Sequence, residues 1–159
     1  MKVCCFTGHR HIEKERQLPL MKALDRRLLL LAEGGVREFR AGGALGFDTL
    51  AALRVLFLKE SRPEVRLSLV LPCRDQAKSW NERDRTLYGY ILSRADEVRF
   101  LYDAYTPECM HARNRALVDG SHACVAYLTA NRGGTLYTCS YALKRGVRLY
   151  NLADELNKV

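Results

Sequence analysis

Four short stretches of this chain carry residue types that do chemistry, and all four suit an anion. The first is Ala41-Gly42-Gly43-Ala44-Leu45-Gly46-Phe47-Asp48, which follows a strand-like run and opens an apolar-periodic segment from Phe47 to Leu58. Glycines at a strand-to-helix junction let backbone approach a ligand with no side chain in the way. The helix behind them aims unpaired N–H groups and the positive end of its dipole at that ligand, so a phosphate is the expected guest. A tight turn with close helix packing is the other use such glycines have. Asp48 favours the positive helix end by its charge alone, and equally suits a ribose hydroxyl or a general base. The second stretch, Gly133-Gly134-Thr135, repeats the strand-loop-helix context near the other end of the chain. Its hydroxyl serves either a ligand or the helix itself as an N-cap. The third, Thr7-Gly8-His9-Arg10, leaves the first strand. Gly8 permits a sharp exit, Arg10 has the forked geometry that grips phosphate, and His9 titrates near neutral pH or stacks on a base. The fourth is Arg113-Asn114-Arg115. Arginines in the first turn of a helix oppose its dipole, a cost that makes sense if Arg113 faces an anion. Asn114 offers a donor and an acceptor to a base or sugar, and Arg115 points elsewhere. Asp48 and Arg113 are the candidate catalytic groups.

What is missing narrows the chemistry. Ala41 stands where the dinucleotide fingerprint G-x-G-x-x-G would start, and the third strand closes on Leu71-Pro72-Cys73 with no acidic residue for a ribose. That speaks against a nicotinamide dehydrogenase. The absence of G-x-x-x-x-G-K-[ST] speaks against a P-loop ATPase. Cys109-Met110-His111, with Cys73, is the grouping that hints at a metal, but its spacing matches no usual zinc pattern, and no metal is expected. The six cysteines include no C-x-x-C and read as reduced, small core residues. The only cofactor-like molecule expected is a nucleotide or nucleotide-derived ligand.

The elements that must position these residues follow from periodicity. Val3–Thr7, Val36–Arg40, Val65–Leu71, Val98–Leu101, Ala123–Leu128 and Val147–Asn151 read as strands. Between them lie helical stripes: Met21, Leu24, Leu28 and Leu31; Phe47, Leu50, Leu53 and Phe57; Leu87, Ile91 and Ala95; Met110 to Val118; and Leu136, Cys139 and Leu143. Leu152–Leu156 reads as a terminal helical turn. Pro72 is expected to stop the third strand, and Trp80 to serve as a core anchor or a lid over a base. Such alternation predicts an α/β fold, a Rossmann-like three-layer sandwich whose mostly parallel central sheet is flanked by helices. Right-handed crossovers then collect the strand-to-helix loops, and with them all four stretches, at one edge of the sheet.

With 159 residues, a single domain over 1–159 is expected. The net charge of +8 favours anionic partners, nucleotide phosphate or nucleic acid, although no run of like charges forms a tail. The N-terminal apolar run ends at Gly8 and that at Leu28–Ala32 is short, so neither a signal peptide nor a membrane span is expected. A cytoplasmic protein with no membrane partner is the corresponding expectation.

The order Thr7-Gly8-His9-Arg10, Gly42 to Asp48, Trp80, Arg113-Asn114-Arg115, Val118-Asp119, Gly133-Gly134-Thr135 and Tyr141-Ala142 resembles the YpsA-like family over nearly the whole chain. That family belongs to the SLOG superfamily of Rossmann-like nucleotide-binding domains, with the LOG phosphoribohydrolases and the DNA-processing protein DprA. Met110-His111-Ala112-Arg113 is similar to the Met-His-x-Arg segment of LOG enzymes, and Gly134-Thr135 to the Gly-Thr of their Pro-Gly-Gly-x-Gly-Thr-x-x-Glu signature. The signature glutamate falls on Thr138, whose hydroxyl cannot act as a carboxylate acid or base. The resemblance therefore implies a nucleotide-shaped pocket, and a sensor or regulatory module ahead of a nucleotide hydrolase. A nucleic-acid binder ranks last, because the sequence shows no interleaving of aromatic and basic residues. Kinship with LOG proteins, which pair through helices, makes a homodimer a further expectation.

Overall fold

The computed structural model describes residues 1–157, and its element order alternates strand and helix throughout. The strands are β1 (Lys2–Gly8), β2 (Val36–Ala41), β3 (Arg66–Cys73), β4 (Glu97–Tyr102), β5 (Ala123–Tyr127) and β6 (Arg148–Asn151). The helices are α1 (Lys14–Glu33), α2 (Phe47–Ser61), α3 (Glu82–Arg94), α4 (Cys109–Val118), α5 (Gly134–Lys144) and α6 (Leu152–Leu156). All strand pairs are parallel, in the order β4-β3-β2-β1-β5-β6. The fold is thus the Rossmann-like α/β sandwich that the alternation predicts.

From β1 the chain builds outward through β2 and β3 to β4, then returns to lay β5 against the other side of β1. The reversal at β1 and β5 is the topological switch point, where the loops diverge and leave a crevice. Alternating side chains of the central strands feed two cores. Cys4 and Phe6 of β1 face a cluster with α1, α2, α3 and α6. Cys5 faces the other cluster, with Leu117 and Val118 of α4 and Ala142 of α5.

Strand β3 runs two residues past the expected stop and includes Pro72. Pairing with β2 ends at Leu69, while Cys73 still pairs with Tyr102 of β4. With one neighbour gone, β3 is an edge there, where a proline is tolerated. Three helical stripes are also rotated from their expected faces. In α1 the buried line is Leu20, Leu24 and Leu28, with Met21 and Leu31 half-buried. In α2 the buried residues include Ala51, Ala52 and Val55, while Phe57 is 57% exposed. In α5 they include Thr138, Cys139 and Ala142, while Leu143 is 61% exposed. Small side chains let a helix lie close against a sheet, and a hydropathy stripe built on large residues misses them. Among the described residues, no helix is long and apolar enough to cross a membrane.

Candidate functional site

A cleft of about 620 Å³ opens at the switch point, in the size range of small-molecule sites. The turn leaving β1 supplies Thr7, Gly8, His9 and Arg10; the first turn of α2 and the loop before it supply Asp48 and Ala44. Helix α4 contributes Met110, His111, Arg113 and Asn114, and the start of α5 contributes Gly133, Gly134 and Thr135. Nine of the sequence-predicted residues therefore meet in one place: Gly8, His9, Arg10, Asp48, Arg113, Asn114, Gly133, Gly134 and Thr135.

The floor holds two buried side chains of opposite charge. Asp48 and Arg113 are 5% and 4% exposed. Helix α2 brings the carboxylate from one face of the sheet, and α4 brings the guanidinium from the other. They converge on Gly42: a Cβ built there would lie 2.7 Å from Arg113 Nη1 and 2.9 Å from Asp48 Oδ2. Arg113 donates from Nη1 to the Gly42 carbonyl and from Nε to Asn114 Oδ1 at 2.8 Å. Asp48 Oδ2 accepts from the Ala44 amide at 3.2 Å. Burial pushes the Asp48 carboxyl above its ordinary range, against the pull of Arg113 and the Ala44 amide. Burial likewise works against the charge on Arg113, with Asp48 opposing that shift and Arg10 adding to it.

The glycine-rich turn before α2 is filled by the protein itself. The Phe47 amide donates to the His9 carbonyl at 3.1 Å, the Thr49 hydroxyl to the Ala44 carbonyl at 2.9 Å, and Gln76 Nε2 to the Gly43 carbonyl at 3.3 Å. Gly46, at φ 80°, lies directly under the Arg10 backbone, where a side chain would collide with the Arg10 carbonyl. So Gly42 packs against Arg113 and Asp48, Gly43 against Leu71, Gln76 and Tyr88, and Gly46 against the backbone of the turn that leaves β1.

The turn before α5 is different. Gly133 has φ 94°, and a Cβ there would meet nothing within 4 Å. No side chain caps the helix. Thr135 lines the cleft, while the Thr138 hydroxyl donates back to the Gly134 carbonyl at 2.8 Å and is fully buried. The first N–H groups of α5 therefore face the opening with their partial positive charge.

His9 accepts the Thr129 amide on Nε2 at 2.9 Å and stands edge-on to Tyr127, tying the β1 exit to the end of β5. Burial lowers its pKa. Four wall residues outside the singled-out set also matter: Thr7, Met110, His111 and Leu117. The Met-His-x-Arg likeness already pointed to two of them. Cys73 lies beside Cys109, and burial pushes its thiol up to about 12. Among the described residues, no group of three or more His, Cys, Asp or Glu side chains is placed to hold a metal ion. Trp80 lies outside this cleft, edge-on to Tyr88 with centroids 5.2 Å apart.

Fold and site together define a Rossmann-like α/β protein with a basic, glycine-edged cleft at its switch point. Residues 4–150 match the model of the YspA SLOG family, and the chain belongs to that family. A UPF0398 protein of Bacillus cereus strain B4264 is 30% identical over 92% of this chain and 85% of its own length. Among solved structures, DNA processing protein A from Streptococcus pneumoniae superposes with a TM-score of 0.68 at 18% identity, over 94% of this chain and 50% of that one. The Helicobacter pylori counterpart, described by its single-stranded DNA binding mode, gives 0.68 at 17%, over 93% and 63%. This chain therefore spans between half and two thirds of those proteins, and the likeness is one of fold.

Proposed function

We propose that the cleft binds a nucleotide or nucleotide-derived ligand, with its phosphate on the amino end of α5, and that the protein acts as a sensor or regulatory module. The observation that carries this reading is the open start of α5: uncapped amides, an unobstructed Gly133 and the Thr135 hydroxyl. Arg10 supplies positive charge at the cleft wall. Asn114 and Asp48 offer partners to sugar or base. The absence of a carboxylate at Thr138, whose hydroxyl is committed to Gly134, supports binding ahead of hydrolysis.

A thermal-shift screen over AMP, ADP, ATP, GTP and cyclic nucleotides tests it. A ligand at a hundred times its dissociation constant stabilises by about 2.7 kcal/mol. For a domain of this size that is a shift on the order of 5–10 °C. Thr135→Val is expected to lower the affinity at least tenfold with the unliganded melting temperature nearly unchanged, because a hydrogen bond to a charged group contributes about 1.5–3 kcal/mol. A flat screen would remove the reading.

A second reading, single-stranded nucleic acid, is favoured by one surface. Across α4 and α5, Tyr137 and Tyr141 lie nearly parallel with centroids 6.4 Å apart, and His111 stands edge-on to Tyr137. Arg115 donates to the Tyr137 hydroxyl at 3.2 Å, and Arg145 lies over Tyr141. Folding thus creates the aromatic-basic interleaving that the linear sequence lacks. Affinity for an oligonucleotide that falls steeply with salt would support this reading over the first.

A further inference from the structure

A second cleft, of about 560 Å³, opens on the far side of the turn leaving β1. Its wall is apolar, with Leu50 and Leu53 of α2 facing Leu87 of α3, and Trp80 and Tyr88 form its aromatic side. Asp84 adds a carboxylate. Apolar walls, an aromatic plane and a few polar groups are what a ring-shaped group requires.

Arg10 lines both clefts. Its backbone is held in place, since the neighbouring His9 carbonyl accepts the Phe47 amide and Gly46 packs directly beneath. The side chain is exposed, and among the described residues it forms no ion pair. An unpaired guanidinium on the divide between two clefts is suited to the bridging group of a ligand that occupies both, and its forked donors match a diphosphate.

Building on the nucleotide reading of the first cleft, we propose that the ligand is two-headed: a nucleoside diphosphate carrying a second ring-bearing group. One nucleoside sits at the switch point, the diphosphate runs from the start of α5 past Arg10, and the second ring lies against Trp80 and Tyr88. Asp84 accepts from an amino or hydroxyl group on that second half. A mononucleotide fills only the first cleft.

Trp80 is the sole tryptophan, so its fluorescence reports on the second cleft directly. The experiment titrates the whole chain with AMP, ADP and NAD, the last used as a two-ring diphosphate probe, following binding by calorimetry and by Trp80 emission. The expected result is that NAD binds at least tenfold more tightly than ADP, and that only NAD changes the emission. Trp80→Ala should remove the excess affinity for NAD and leave that for ADP unchanged, and Trp80→Phe should restore most of it. Arg10→Ala should weaken both diphosphates by a larger factor than AMP, whose single phosphate also meets the start of α5. Equal affinity for ADP and NAD, or an equal loss of both in Trp80→Ala, would overturn the two-headed ligand while leaving the first cleft's reading intact. Binding of none of the three would overturn both.

Discussion

The two glycine-rich turns look alike in sequence and do different work in the structure. The turn at 42–46 is closed: Arg113 and Asp48 occupy the space beside Gly42, and the first amide of α2 is taken by the His9 carbonyl. The turn at 133–134 is open: Gly133 meets nothing, and no side chain caps α5. Neither helix has a side-chain cap, but the first amide of α2 is taken by the His9 carbonyl. Gly133 and Gly134 at the start of α5 instead line the cleft with open space beside Gly133, as an anion site at a helix start requires. A glycine-rich turn therefore reports close approach of something, and the approaching group is as readily a protein side chain as a ligand.

Removing Arg113 should break the comparison most severely. Taken alone, the motif suggests that Arg113→Ala weakens binding and spares the fold. The buried guanidinium holds the Gly42 carbonyl and balances Asp48, so Arg113→Ala is expected to cost about 3–5 kcal/mol as well, measured by urea unfolding. An unchanged midpoint would mean that the closed turn does not depend on it.

Gly42→Ala probes the same turn more gently. Its Cβ would press on Arg113 and Asp48, and overpacking of this kind costs about 1–3 kcal/mol. Binding should fall with it, because both floor groups shift. Gly133→Ala meets no obstacle, and its expected cost is the positive-φ, extended backbone alone, about 1–3 kcal/mol. Its loss of ligand affinity should nevertheless exceed that of Gly42→Ala relative to the stability lost. The reverse ratio would exchange the roles assigned to the two turns.

The smallest effect is in pH. His9 has a lowered pKa in the fold, where it is partly buried and accepts the Thr129 amide. A depressed histidine contributes stability that is present above its ordinary value of about 6.5 and is lost as the pH falls through the lower folded value. Thermal stability should therefore decline as the pH falls from about 6.5 through the lower folded value, and His9→Gln should flatten the decline. An identical pH profile in the variant would remove His9 as its source.

Much of the candidate cleft was legible because most of its residues fall at or just past strand exits, where a parallel sheet collects its loops, with Arg113 and Asn114 a turn into α4. Thr7 to Arg10, Arg113 with Asn114, and Gly133 to Thr135 all reached the cleft from sequence position alone. The helix faces were less legible. Phe57 and Leu143 carry the hydropathy of α2 and α5 but point outward, while Ala51, Ala52 and Ala142 are buried. Large apolar residues dominate a periodicity argument, whereas closeness between helix and sheet is set by the small ones. Tyr137, Tyr141 and Arg145 recur every four residues along α5 and its C-cap, but that Arg115 and His111 of α4 come to lie beside them depends on how the two helices pack.

The sequence by itself determined the alternation of strand and helix, and hence a parallel sheet with its loops at one edge. Local periodicity and turn chemistry suffice for that, because each is written within a dozen residues. Only the tertiary structure decided the strand order, which sets β5 beside β1 and so makes the crevice lie between their exits. It also decided which glycine turn stays open. The group that closes the turn at Gly42 is Arg113, 71 residues further along the chain. No local pattern encodes whether a distant side chain arrives, since that depends on where α4 crosses the sheet.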